Sequence, residues 1–297
     1  MRAGGEVLLV VLALVGCVRR ATERPEPHSA VAEAVLDSAT TAESPDRPVA
    51  ARTVDTAPAA APARSPEAEI DAARQALRAD DVVGTVRSMR SLLAAGDAGE
   101  SSIRRLLAET EDGRQPWLVT RINATGSPRV MPLLRDLLLS SPNAGVRSEA
   151  AIGIGHGVDT ASEQTLLVAY RTEREPGPWR HILFAMGLVA TPRLLDALRA
   201  HVLDASRSPG DRELAVKALA MRPGPGQAVL VELLDSPLDQ ALAYAVLEKL
   251  RDPEALATVE TYRDRAPTEV LRTAAGRAAE RLRAMRDARA RPAQERK

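Results

Sequence analysis

Apolar residues recur at helical spacing from about residue 65 to about residue 285, in segments of roughly 10 to 15 residues. No segment alternates apolar and polar residues convincingly, as a half-buried strand would. A capping residue followed by proline precedes several of the segments, and the first is Ser65-Pro66-Glu67. Later examples are Ser127-Pro128, Thr191-Pro192 and Asp252-Pro253. The pattern predicts an all-α domain over residues 65–288, built from helices with short breaks.

The predicted helices repeat at a nearly constant interval. Arginine opens a helix at four places that share one column of the repeat: Arg147, Arg180, Arg212 and Arg272. Gln240 occupies the same column, so that successive members are 28 to 33 residues apart. Small or aliphatic residues stand three and seven positions after each member, which allows neighbouring helices to approach closely. A period of this length predicts a solenoid of helix pairs.

The segment 127–157, SPRVMPLLRDLLLSSPNAGVRSEAAIGIGHG, resembles a HEAT repeat. The matching features are a leucine-rich first helix, a Pro/Asn turn, Val146-Arg147, Ala150-Ala151 and Gly153-Ile154-Gly155. The resemblance implies a right-handed α-solenoid of six or seven helix pairs. It also implies that the second helices line the concave face and that the column arginines join adjacent repeats. An armadillo-type or other α-hairpin array is the alternative.

The glycines of GIGHG, residues 153–157, raise the question of a phosphate-binding loop. Such a loop follows a strand and opens a helix, because the backbone amides at a helix start point at the phosphate. Here the glycines follow the apolar pattern of a helix. We therefore expect GIGHG to be the end of a second helix.

The first residues of the chain resemble a bacterial lipoprotein signal peptide over 1–16. The apolar run 7–15 is too short to span a bilayer and has the length of a signal-peptide core. It ends in Leu14, Val15, Gly16 and Cys17, which resemble a lipobox. The resemblance implies that Cys17 is lipidated and anchors the protein in the cell envelope, since two or more acyl chains hold a protein stably on a membrane. Val18, in place of Asp, favours the outer membrane, facing the periplasm. The alternative is an ordinary cleaved signal peptide.

The composition predicts a disordered tether and excludes several kinds of site and partner. Residues 17–64 are rich in Pro, Ala, Ser, Thr and Glu, which predicts a disordered linker, and 289–297 are predicted to be a basic disordered tail. The formal net charge of zero argues against a nucleic-acid partner. A single cysteine excludes an intramolecular disulfide and a Cys-based metal cluster.

No motif of an enzyme is present in the sequence. His156, His181 and His201 have no histidine or carboxylate at metal-ligand spacing, and there is no nucleophile elbow, phosphate loop or zincin motif. We therefore expect no catalytic residue, metal or cofactor. An enzyme-accessory or lyase-like protein with a site between repeats, and a purely structural spacer, are the alternatives.

The candidate partner-binding residues are tryptophans and cations. Each tryptophan follows a proline at a helix start, where it either anchors a partner or fills a gap between repeats. Five and nine positions past the column arginine, the second helices change from apolar to basic toward the C-terminus. The candidates are Trp117, Trp179, His181, Lys217, Lys249, Arg277 and Arg281. We expect a non-catalytic scaffold that binds other envelope proteins, including acidic segments. The alternative is that these charges are an ordinary solvated helix surface.

Overall fold

The computed structural model describes residues 65–290, and every regular element in that range is helical. The fourteen α-helices are α1 (Pro66–Arg78), α2 (Val82–Ala94), α3 (Asp97–Glu109), α4 (Gln115–Asn123), α5 (Met131–Ser140), α6 (Ala144–His156), α7 (Glu163–Thr172), α8 (Pro176–Val189), α9 (Pro192–Leu203), α10 (Pro209–Leu219), α11 (Pro225–Leu233), α12 (Gln240–Lys249), α13 (Leu256–Arg265) and α14 (Glu269–Ala290). One-turn 3-10 helices precede α5, α7 and α13.

First and second helices alternate along the chain in seven pairs within the described range. The even-numbered second helices form a continuous stack, in which α2 packs on α4, α4 on α6, α6 on α8, and so on to α14. Most of the first helices pack on one another less extensively, as α9 does on α11. The predicted all-α solenoid is therefore confirmed.

The predicted helix starts show how local sequence determines the elements. The Ser65 side chain accepts a hydrogen bond from the Ala68 amide at 3.3 Å, and Pro66 is the first residue of α1. Ser127 and Asp252 precede one-turn 3-10 helices that lead into α5 and α13, a common arrangement at helix starts. Thr191 caps α9 through its backbone, without a side-chain bond. All four positions begin a helical segment as predicted.

A continuous aliphatic core runs through the pairs. Its members include Leu118, Ile154, Leu183, Leu219 and Leu247, each at most 1% exposed. Because each pair buries its apolar face against its neighbours, no pair has a separate core of its own.

Gly153 and Gly155 of GIGHG lie in the C-terminal half of α6, and Gly157 follows its last residue. A Cβ atom at Gly153 would lie 2.3 Å from Oδ1 of Asn123, and one at Gly155 would lie 3.0 Å from the Cα of Ala185. The glycines therefore let α6 approach α4 and α8 closely. The expectation that this stretch ends a second helix is confirmed.

The ends of the domain differ slightly from the prediction. Helix α14 continues to Ala290, two residues beyond the predicted domain boundary at 288. The predicted signal peptide, the predicted lipobox with Cys17, the predicted tether up to residue 64 and the part of the predicted tail from residue 291 lie outside the described residues. Within residues 65–290, no helix is both long and apolar enough to cross a membrane.

Candidate functional site

A cleft of about 800 Å³ opens at the N-terminal end of the solenoid, where α1 and α3 end and α2 and α4 begin. Leu77 and Leu106 contribute apolar surface to it. Two ion pairs join the first helix pair to the second across the cleft. The Arg114 guanidinium lies 2.5 Å from the Asp80 carboxylate, and Arg74 lies 2.5 Å from Glu109. These contacts link the two walls of the cleft.

Trp117 lies in this cleft with 44% of its surface exposed. The guanidinium carbon of Arg121, one turn further along α4, lies 5.2 Å from the centroid of the indole, in a cation–π contact. Val82 also lines the cleft and is 46% exposed, and its neighbour Val83 is 67% exposed. Of the seven large apolar side chains that are exposed in residues 65–290, three therefore lie at this end of the solenoid.

The carboxylates near the cleft lie on the first helices and in the loops, whereas arginine occurs on both first and second helices. Helices α2 and α4 contain no Asp or Glu, and they carry Arg87, Arg90 and Arg121. Helices α1 and α3 together contain six carboxylates. Val83, Arg87 and Arg90 are spaced i, i+4 and i+7, so they share one exposed face of α2. The exposed surface of α2 and α4 is therefore positive and partly apolar.

Sequence reasoning missed five residues of this surface: Val82, Val83, Arg87, Arg90 and Arg121. The available signal was the absence of carboxylates from VVGTVRSMRSLLA, residues 82–94, and from QPWLVTRIN, residues 115–123. That signal identifies a surface only when the two segments are known to pack side by side. The repeat column begins at Arg147 and therefore does not align them.

Trp179 belongs to a packed aromatic cluster between pairs. Its ring centroid lies 6.5 Å from that of Tyr170 on α7 and 5.3 Å from that of His201 on α9. The Tyr170 hydroxyl lies 2.6 Å from Nδ1 of His201, which is 2% exposed. Burial lowers the pKa of His201, and the positive charge of Arg207 lowers it further. Tyr170 and Nδ1 of a neutral His201 share a hydrogen bond, which makes this cluster a structural joint.

His181 is part of α8 and is not brought into the cleft. Burial lowers its pKa, and the adjacent Arg180 contributes in the same direction. Its Nδ1 atom is buried and has no hydrogen-bond partner among the described residues. In the same range, no three His, Cys, Asp or Glu side chains are placed to hold a metal ion.

Two of the four column arginines join adjacent pairs through the same geometry. Arg147 donates to both carboxylate oxygens of Glu173, at 2.6 and 3.1 Å, and to the carbonyl of Ser141 at 2.9 Å. Arg212 contacts Asp239 at 2.9 Å and the carbonyl of Val202 at 2.7 Å. Each guanidinium thus binds a carbonyl of its own pair and a carboxylate before the second helix of the next pair.

The other two column arginines have different surroundings. Arg272 bonds to Glu269 of its own helix at 2.9 Å and to the carbonyl of Ala266 at 3.0 Å. Arg180 is exposed. The shared column therefore does not give the four side chains a shared role.

The C-terminal cations do not form one open basic groove. Lys217 pairs with Glu213 at 2.9 Å, and Arg281 donates to the carbonyl of Leu247 at 2.7 Å. Burial lowers the pKa of Arg281, as does the nearby Arg251. Arg277 contacts the Tyr244 hydroxyl at 3.4 Å.

The predicted face that carries these cations is interrupted at α8. Ala185 and Val189 occupy its columns and are only 1% and 3% exposed, because α8 is covered by α6 and α10. Lys249, on α12, is half-buried. The structure therefore does not bring the C-terminal candidates Lys217, Lys249, Arg277 and Arg281 together with Trp117.

Comparisons with known proteins identify no family. No family model matches the chain, and no curated protein is detectably similar to it. Among solved structures, human deoxyhypusine hydroxylase in complex with glycerol is 18% identical, with a TM-score of 0.32, over 73% of this chain and 97% of that chain. We take no activity, ligand or site from that similarity.

Proposed function

We propose that residues 65–290 are a non-catalytic, HEAT-like scaffold that binds another protein on the exposed surface formed by α2 and α4. The observation that carries the proposal is Trp117, which is 44% exposed beside Arg121 at a cleft of about 800 Å³. Clustered apolar side chains on a surface mark interaction sites, and Trp and Arg are the residues most enriched in binding hot spots. A solenoid also presents an extended surface for an elongated partner.

We further propose that the scaffold is tethered to the bacterial outer membrane and faces the periplasm. The support is the sequence LVGC at residues 14–17, with Cys17 as the sole cysteine of the chain. A tether of the length of residues 17–64 would hold the helical domain near the membrane and leave its surfaces accessible.

The scaffold proposal is tested by cross-linking in cells, detergent extraction and mass spectrometry of the proteins that co-purify. Four forms are compared: wild type, Trp117→Ala, Tyr244→Ala and Cys17→Ser. Tyr244 is the matched control, because it is an exposed aromatic residue on another second helix. We expect a defined envelope protein with the wild type and Tyr244→Ala, and much less of it with Trp117→Ala. Equal recovery with both aromatic variants would place binding elsewhere, and no specific recovery would favour a spacer.

The anchor is tested separately by fractionation and by the mass of the N-terminal peptide. We expect wild type in the membrane fraction with acyl chains on Cys17, and Cys17→Ser in the soluble fraction. A wild-type protein with an unmodified Cys17 would contradict the anchor without affecting the scaffold proposal.

A further inference from the structure

We infer that the surface formed by α2 and α4 binds an extended acidic protein segment that inserts one large apolar side chain beside Trp117. This inference rests on the proposed scaffold function and names the chemistry of its partner. It also moves the binding site for an acidic segment from the C-terminal half, where the sequence suggested it, to the N-terminal end.

The positive charge of this surface is not neutralised by its own helices. Arg87, Arg90 and Arg121 lie on helices without a carboxylate, and none of the ion pairs within residues 65–290 includes these three arginines. Arg87 and Arg90 are exposed, and Arg90 makes one long hydrogen bond, 3.4 Å, to the carbonyl of Thr125. Carboxylates of a bound segment would supply the missing partners through charge-assisted hydrogen bonds.

The cleft supplies apolar surface beside Arg121, among charged lining residues. Trp117, Val82 and Leu77 contribute apolar surface to it, and its volume lies within the roughly 300–1,000 Å³ typical of sites that enclose a small ligand. It therefore has room for one large side chain with its flanking backbone. The indole already lies under the Arg121 guanidinium, so a carboxylate next to that apolar side chain would reach the same cation.

The rim of the cleft selects a peptide over a polyanion. Four carboxylates line it, and they belong to Asp80, Asp81, Glu109 and Glu111. Arg114 and Arg74 neutralise Asp80 and Glu109, whereas Glu111 is exposed in the loop before α4. Four arginines line the same cleft, so the rim has no net positive charge to attract the evenly spaced phosphates of a nucleic acid. A protein segment needs negative charge only where it crosses α2 and α4.

The test is a titration of the full chain, purified in detergent, with three fluorescein-labelled twelve-residue peptides. The first peptide contains Asp and Glu with one central Phe, the second has Ser in place of Phe, and the third has Lys in place of every acid. We expect saturable binding of the first peptide, weaker binding of the second and none of the third. Affinity for the first should fall about tenfold when salt rises from about 50 to 200 mM, since surface ion pairs are screened.

Variants locate the site. We expect Arg87→Glu/Arg90→Glu and Trp117→Ala each to weaken binding of the first peptide by about tenfold or more, with unchanged circular dichroism. The matched control is Lys249→Glu/Arg277→Glu, which reverses two charges at the other end of the solenoid and should bind like wild type. The indole N–H signals give a second measurement, because the chain has two tryptophans. The Trp117 signal should shift on titration and the Trp179 signal should not.

Several outcomes would overturn the inference. Equal binding of the acidic and basic peptides would remove the charge selection, and loss of binding only in the Lys249/Arg277 variant would favour the C-terminal groove. Binding to phosphatidylglycerol vesicles through Arg87 and Arg90, with no binding of any peptide, would indicate a membrane surface instead.

Failure of this inference is distinguishable from failure of the scaffold proposal. If Arg87→Glu/Arg90→Glu still captures the wild-type partner in cells, the scaffold proposal holds and the acidic-segment site is wrong. If no partner is captured but the acidic peptide binds through Trp117, the cleft selects acidic chains and the scaffold proposal lacks its support.

Discussion

The ion pair between Arg147 and Glu173 is the most buried one in the described range, with side-chain exposures of 15% and 7%. Burial alone would raise the pKa of Glu173. Hydrogen bonds from Arg147 and from the amides of Glu175 and Arg174 outweigh that effect, so the pKa is lowered. The carboxylate is therefore held charged at a poorly solvated position, and it depends on its cation.

We expect Arg147→Ala to lower the free energy of unfolding by about 3 kcal/mol, because it leaves the Glu173 carboxylate buried without its partner. Arg180→Ala is the matched control, since Arg180 occupies the same repeat column but is exposed. It should change the stability by no more than about 0.5 kcal/mol. Urea unfolding followed by circular dichroism measures both. Equal losses of stability in the two variants would mean that the position in the repeat, and not the ion pair with Glu173, accounts for the effect.

The buried His201 and the half-buried His181 make the stability of the fold depend on pH. The pKa of His201 and that of His181 are both lowered in the folded protein. Above about pH 6.5 both histidines are neutral in the folded and unfolded states. As the pH falls through that value, the unfolded chain takes up protons first, so the free energy of unfolding decreases. Carboxylates contribute mainly at lower pH.

We therefore expect the free energy of unfolding to fall between about pH 7 and pH 5.5, and His201→Gln to make the fall shallower. Gln can still accept the hydrogen bond from Tyr170 but does not titrate. The charged groups that act on His201 are Arg207, Asp204 and Asp211, and all three are retained in the variant. His156→Gln is the control, because His156 is exposed. Unfolding curves of wild type and variants at each pH give the dependence of the free energy of unfolding on pH. If that dependence is unchanged in His201→Gln, His201 is not its source.

The two tryptophans show what the sequence could reveal at the level of single residues. Trp179 precedes Ile182 and Leu183 by three and four residues, so it lies on the buried face of its helix. Trp117 precedes Thr120 and Arg121 by the same spacings, so it lies on a polar face. Both follow a proline, but they differ in which face of their helix they occupy. Trp179 therefore packs against the core, and Trp117 is exposed. That distinction was available from the sequence.

At the level of elements, small residues determine how closely the second helices stack. A Cβ atom at Gly187 in α8 would lie 2.0 Å from the carbonyl oxygen of Ala218 in α10. The obstructing atom belongs to the backbone, so it cannot move without shifting a helix. The glycine therefore sets the separation of α8 and α10.

We expect Gly187→Ala to destabilise the protein by about 2 kcal/mol, because the added methyl group forces two helices apart. Gly276→Ala is the matched control, since Gly276 is also inside a second helix and a Cβ atom there would have no neighbour within 4 Å. That change should stabilise the protein by up to about 1 kcal/mol through helix propensity. Thermal and urea unfolding measure the stability of both variants. A loss of stability in Gly276→Ala as well as in Gly187→Ala would show that helix propensity does not decide the effect at Gly276.

Helix positions were predictable because their signals are local. Capping residues, prolines and apolar spacing lie within each segment, and they predicted the starts at Ser65 and Thr191. The exposed face of the second helices was not predictable, because it depends on which helices cover each other. Ala185 and Val189 are buried by neighbouring pairs, and the apolar run 182–189 of α8 indicates that the helix is covered but not which helices cover it. The cleft was missed for the same reason, since it is formed by the ends of four helices.

At the level of the whole described domain, stability is a sum of contacts between neighbouring pairs. The stack of α6 on α8 is the most extensive helix contact, and both helices are covered on two sides. The terminal helices α1 and α14 have neighbours on one side only within residues 65–290. Local opening should therefore begin at the ends.

We expect hydrogen exchange, followed by mass spectrometry, to be slowest in peptides from α6 and α8 and fastest in the described residues of α1, α13 and α14. Gly187→Ala should speed exchange in α8 and α10 before it affects α1, because the contacts are between neighbours. Uniform exchange along the domain would instead indicate a single cooperative unit.

The serial packing of the pairs also has a mechanical consequence. A load applied between Pro66 and the end of α14 would pass through each pair interface in turn, as through springs connected in series. Small adjustments at every interface add up, so the domain would lengthen under modest tension while its helices stay intact. The interface between α6 and α8 would be strained least, because it is the most extensive helix contact of the described residues. The domain could therefore absorb a change in the distance between its two ends at its smaller interfaces, before that contact yields.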